Sequence, residues 1–133
     1  MTSMVDEEGL PKLSDTEWEI MKPFWEKGPM AARDVFAATP KEFGWAYQTV
    51  KTMLARLVQK GALTYDQIGN SYLYRPVYAQ ADLTRAATRN FIKRVYGGSP
   101  DPFITYCCEK MTADQIRAIR RELDKALREK TGK

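Results

Sequence analysis

The sequence predicts a mainly α protein with a single small β-hairpin near its middle. Three observations carry this. Apolar residues recur at helical spacing through most of the 133 residues. The period drops from 3.6 to 2 in Leu63–Val77, where β-prone runs flank Ile68-Gly69-Asn70-Ser71, a two-residue hairpin signal. Capping and breaker residues bracket the helical runs.

Taken in order, residues 1–12 read as a loose, acidic arm. Leu13-Ser14-Asp15-Thr16-Glu17-Trp18 opens the first helix: Ser14 and Glu17 form a capping box, and Leu13 and Trp18 a hydrophobic staple. Trp18, Met21, Phe24 and Trp25 give that helix its apolar face, Pro23 predicts a bend near Glu19, and Gly28-Pro29 ends it. Met30–Thr39 reads as a short second helix burying Val35, Phe36 and Ala32. A turn over Pro40–Gly44 leads to the third helix, which stops at Lys60-Gly61. Pro76 confines the second hairpin strand to an edge or an end. Ala79–Tyr96 then predicts a helix with Leu83, Ala87, Phe91 and Val95 in one row, broken by Gly97-Gly98-Ser99-Pro100. A short apolar piece, Phe103–Cys108, follows. Thr112 and Gln115 form another capping box, opening a helix striped with Ile116, Ile119, Leu123 and Leu127.

The third helix is unusual in its polar side. Tyr47, Val50, Leu54, Leu57 and Val58 form a buried stripe, while Gln48, Thr49, Thr52, Ala55, Arg56 and Gln59 face away, with Lys51 at the border. A solvated helix face is ordinarily rich in Glu and Lys paired four apart. This one has no acid between Glu42 and Asp66, and carries two threonines that lower helix propensity. Short donors and acceptors flanked by cations suit a polar, negative surface. The charge distribution agrees. Residues 1–40 are net acidic, residues 41–60 and everything after them net basic, and the total is +4.

Three helices followed by a hairpin describe a winged helix-turn-helix over residues 13–78. In such modules the last helix before the hairpin enters the major groove, and the hairpin wing rides the sugar-phosphate backbone. The competing reading is a small α+β domain whose third helix simply faces water. Residues 79–133 hold too few helices to enclose a core alone, and a second copy of the chain is the cheapest partner. They are therefore expected to form a helical dimerisation domain through Leu83, Phe91, Val95, Ile116, Ile119, Leu123 and Leu127.

Other classes are disfavoured. The 44% apolar content is that of a folded protein. There is no histidine, no Gly-rich phosphate loop and no clustered carboxylate pair in an apolar setting, so neither an enzyme, a cofactor nor a metal site is expected. Cys107 and Cys108 are adjacent, form no disulfide framework, and suit a reducing cytoplasm. The N-terminus lacks a signal peptide's apolar core, and no apolar run approaches the ~20 residues of a membrane span, so no membrane insertion is expected.

Several stretches, in order, carry a resemblance: Leu13-Ser14-Asp15-Thr16-Glu17-Trp18-Glu19-Ile20-Met21 with Trp25, the run Thr49–Leu63, Tyr72–Val77, and Phe91–Gly98 with a closing amphipathic helix. From about Leu13 to Leu127 the chain resembles the penicillinase-repressor family of bacterial transcriptional repressors. The resemblance implies a homodimer that binds a short palindromic operator in double-stranded DNA. It implies DNA contacts by Thr49, Lys51, Thr52 and Arg56. Family members frequently carry Lys where this chain has Gln48, and basic wing tips where it has Gln67-Ile68-Gly69-Asn70-Ser71. Gln48 still suits an adenine edge or a phosphate, and Lys41, Lys51, Lys60 and Arg75 are left to supply cationic contacts.

Two family routes of induction meet departures. In one branch a membrane sensor-protease, or a protease downstream of it, leads to cleavage at an Asn-Phe bond. The matching position here is Tyr106-Cys107. In another branch paired C-x-C motifs bind copper, whereas Cys107-Cys108 offers no closed four-ligand site. The vicinal thiols are open to a soft ion or to oxidation, and the plainer reading is two small apolar residues in a dimer core. Two further alternatives stand beside the repressor: a winged-helix protein-interaction module, and a regulator gated by its thiols or by a small ligand among Tyr65, Tyr72, Tyr74, Tyr78 and Phe91.

Overall fold

The computed structural model describes residues 4–132. Helix α1 (Asp15–Lys27) starts at the Ser14–Glu17 capping box, in which the Ser14 N–H donates to Glu17 Oε1 at 2.8 Å and the Glu17 N–H to Ser14 Oγ at 3.3 Å. The helix runs through the buried Pro23 and buries Ile20, Met21 and Phe24, while Trp18 and Trp25 stack with centroids 5.6 Å apart.

The segment expected to be one helix from Met30 to Thr39 divides. Met30–Ala31 is a short strand, β1, and α2 is confined to Ala32–Ala38. Val35 is fully buried, but Phe36 is exposed. A 3-10 turn over Lys41–Phe43 precedes α3 (Tyr47–Lys60). Gly61, at φ 87°, closes α3 by donating its N–H to the Leu57 and Val58 carbonyls, a left-handed cap that glycine takes without a Cβ clash.

Strands β2 (Leu63–Ile68) and β3 (Ser71–Pro76) form the predicted hairpin, with Ile68 opposite Ser71 and Gly69 at φ 62° in the first loop position. The sheet has the order β1-β3-β2, because Met30 and Ala31 pair with Tyr74 and Leu73. Pro76 is thus at the end of the central strand, beyond the reach of β1. Ile20, Met21, Phe24, Met30, Val35, Val50, Leu54, Leu57, Leu63 and Tyr74 make one core, which joins all three helices to the root of the hairpin.

Of the loose arm expected over residues 1–12, residues 5–11 form a closed turn, and residues 1–3 lie outside the described residues. Val5 bridges Pro11, and the nine-tenths-buried Asp6 accepts the N–H groups of Glu8 and Leu10 at 2.8 and 2.9 Å. Arg89 reaches this turn through Glu8 at 2.9 Å. A local carboxylate that satisfies backbone donors is what orders so short a segment.

Three helices complete the chain: α4 (Gln80–Tyr96), α5 (Asp101–Lys110) and α6 (Ala113–Thr131). The chain divides into two compact units between Asn90 and Phe91, inside α4, instead of at residue 78. Leu83, expected at a dimer interface, is buried with Ala86 in the first unit and is not available to a partner. Ala87, one position along, is exposed. In the second unit Phe91, Tyr96 and Phe103 meet in pairs at 5.7 to 5.8 Å. The apolar piece at 103–108 is part of α5, and α6 opens at the Thr112–Gln115 capping box.

Candidate nucleic-acid interface

Helix α3 separates its two faces as its sequence requires. Val50, Leu54 and Leu57 are wholly buried, and Gln48, Thr49, Lys51, Thr52, Ala55, Arg56 and Gln59 are exposed. Thr52 Oγ1 donates to the Gln48 carbonyl at 3.0 Å, one turn back. Its proton is thereby used within the helix, so the hydroxyl presents only lone pairs outward and can accept from a donor such as a base amino group. Among the described residues Arg56 has no ion-pair or hydrogen-bond partner.

Lys60, expected to contact DNA, is already engaged within the domain. Its ammonium donates to Glu17 Oε1 at 2.5 Å and to the Lys12 carbonyl at 3.0 Å, and the Glu17 side chain is 1% exposed. A cation already neutralised by a buried carboxylate displaces no counterion from a polyanion. Burial works to raise the Glu17 pKa, but the hydrogen bonds from Lys60 and Ser14 outweigh it and hold the carboxyl below its ordinary 4.5. Arg75 is also engaged, with Asp66 across the hairpin at 3.1 Å, although both are largely exposed. Sequence reasoning assigned these two lysine and arginine positions by charge, and charge patterning carries no record of a partner far along the chain.

The wing carries a stack of tyrosines. Tyr65 pairs opposite Tyr74, and Tyr72 lies on the same face, with centroids 4.5 to 6.2 Å apart. Tyr74 is buried, which pushes its phenol up and keeps it neutral. These rings contact each other, and within the second unit Phe91 contacts Tyr96 and Phe103.

A cleft between the start of α2, the first turn of α3 and the hairpin loop is lined by Ala31, Arg33, Tyr47, Lys51, Asn70 and Ser71, among others. Arg33 Cζ lies 5.1 Å from the Tyr47 ring centroid and Lys51 Nζ 5.7 Å from it. Arg33 escaped the sequence reading because nothing in its own helical run connects it to a residue beyond the α2–α3 turn.

The sequence and the fold have counterparts. A family model described as penicillinase repressor matches residues 13–125. The chain belongs to the penicillinase-repressor family. The penicillinase repressor of Bacillus licheniformis is 27% identical over 86% of this chain and 91% of its own length. The methicillin resistance regulatory protein MecI of Staphylococcus aureus is 26% identical over 86% of this chain and 94% of its own. The solved DNA-binding domain of the repressor BlaI is 32% identical, spans 62% of this chain and 93% of that one, and superposes with a TM-score of 0.50. Membership in the penicillinase-repressor family places the chain among transcriptional repressors instead of enzymes.

Proposed function

We propose that this protein is a homodimeric transcriptional repressor that binds a palindromic operator, with α3 in the major groove and the β2–β3 wing along the backbone. The observation that carries the proposal is the outward face of α3: Gln48, Thr49, Thr52 and Arg56, exposed, acid-free and, at Arg56, unpaired among the described residues. In this reading Thr49, Thr52 and Arg56 meet base edges and Gln48 and Lys51 meet phosphates.

Dimerisation falls to the second unit. Val95, Leu123 and Leu127 are more than half exposed, and Ile116 and Ile119 about a third, along α4 and α6. A buried stripe against a second copy removes that surface from water. A twofold dimer also matches the symmetry of a palindrome. No helix among the described residues is long and apolar enough to cross a membrane, which is compatible with the cytoplasmic site we assign.

Release through a sensor-protease remains the family-derived route, but Tyr106-Cys107 is inside α5. A protease binds its substrate as an extended strand, so α5 has to unwind before that bond can be cut. Cys107 is half-buried and Cys108 exposed, which leaves the second thiol accessible to an oxidant or a soft ion.

The experiment is selection of duplexes from a random pool by the full-length protein, followed by gel shift and sedimentation. The proposal expects a palindromic consensus bound by two protomers. Enrichment of no sequence, or of an asymmetric one bound by a single protomer, contradicts it.

A further inference from the structure

We propose that Arg33 and Lys51, both held over the Tyr47 ring and lining one cleft with the hairpin loop, form a clamp for one backbone phosphate of the bound duplex. The inference rests on the DNA-binding reading of α3 and adds a site that the reading of the helix face alone does not contain.

Two cations share one aromatic ring here, at 5.1 and 5.7 Å from its centroid. The ring quadrupole attracts each of them, but the cations repel each other, and among the described residues neither has a carboxylate partner. No acidic side chain lines the cleft they share. The opposite wall is Asn70, Ser71 and Tyr72, which offers an amide and hydroxyls as neutral donors. Excess positive charge, hydrogen-bond donors on two walls and an aromatic floor are the chemistry of a phosphate site.

Position selects the source of that phosphate. The cleft joins the first turn of the helix whose exposed face is acid-free to the loop of the wing, so a strand leaving a groove occupied by α3 passes between them. Arg33 supplies a planar fork suited to two phosphate oxygens, and Lys51 a point charge beside it. Tyr47 restricts where both can go, which lowers the ordering needed when DNA arrives.

The test uses full-length protein, a fluorescent duplex selected by it, and a random duplex. Arg33→Gln, Lys51→Gln and the double variant are titrated across a salt series. The clamp predicts that each single variant binds both duplexes roughly three- to tenfold more weakly, and that the double variant reduces the salt slope by about 0.9, for the one phosphate no longer neutralised. The double variant must lose less than the product of the two single losses, since both cations serve one group. Unchanged thermal melting shows that the exposed substitutions leave the fold intact.

Unaltered affinity and slope in Arg33→Gln, with tight binding by the wild type, overturns the clamp and leaves α3 as the reader. Single losses that multiply assign the cations to separate phosphates and also overturn it. Inorganic phosphate that binds wild type but not Arg33→Gln, yet displaces no more duplex than chloride does at equal ionic strength, identifies a free-anion site instead and overturns the clamp. A wild type that binds no duplex removes both the clamp and the reading on which it rests.

Discussion

Glu17 does two things at once: it closes the capping box at the start of α1, and it receives the ammonium of Lys60 from the last turn of α3. The second oxygen of Glu17 is buried without a hydrogen-bond partner among the described residues. The pair therefore fixes the end of α3 to the start of α1. Removing Lys60 leaves a buried carboxylate uncompensated. Lys60→Ala is expected to destabilise the protein by about 3 kcal/mol, read by urea unfolding. DNA affinity per folded molecule should stay within about twofold, below the ~1.4 kcal/mol of a tenfold change. A large affinity loss with normal stability contradicts this assignment.

The same carboxyl gives a pH dependence of definite sign. Burial raises the Glu17 pKa, the Lys60 and Ser14 hydrogen bonds lower it further than burial raises it, and the net value is below 4.5. A group depressed in the folded state contributes stability that is fully present above its unfolded pKa and is lost as pH falls through the folded one. Asp6 is depressed below 3.8 in the same direction, because burial is outweighed by the Leu10 and Glu8 N–H groups, Asn90 and Arg89. Thermal melting of the wild type should thus weaken on acidification below pH 4.5, and Glu17→Gln should flatten part of that decline. Equal slopes in the two proteins count against the pair.

Thr52 separates structure from recognition. Its hydroxyl donates to the Gln48 carbonyl, a bond that an interior helix turn does not need. Thr52→Val should fold as the wild type does, yet bind its selected duplex less tightly by roughly 1 kcal/mol through loss of an acceptor. Fluorescence anisotropy checks this, and undiminished affinity means that the hydroxyl meets only water.

Leu123 is 58% exposed on α6. If a second protomer covers it, Leu123→Asp places an unpaired charge in that interface at several kcal/mol. Sedimentation at micromolar concentration should show the wild type as a dimer and the variant as a 15.3 kDa monomer. A monomeric wild type ends the dimer proposal, and a dimeric variant moves the interface elsewhere.

What could be read from sequence was local. Both capping boxes, Ser14–Glu17 and Thr112–Gln115, rest on partners three residues apart, and Gly69-Asn70 marks its hairpin directly. Strand β1 was missed because two residues carry no period, and its identity comes from pairing with Leu73 and Tyr74. The ion pair of Lys60 is not legible in the sequence, because its partner is 43 positions away. Leu83 shares a stripe with Phe91 and Val95 on one helix, but the units divide within that helix, so one stripe serves two cores. Arg33 needed the α2–α3 turn to bring it over Tyr47.

The central claim is that the outward face of α3 reads DNA sequence, and Arg56 tests it most directly. Arg56 is exposed and unpaired among the described residues, so Arg56→Ala removes a contact without disturbing the core. The measurement is equilibrium binding of the wild type and Arg56→Ala to the selected duplex and to a random one at fixed salt. The account predicts that Arg56→Ala loses about tenfold or more on the selected duplex, some 1.4 kcal/mol, and far less on the random one. Equal losses on the two duplexes, or none on either, contradict it.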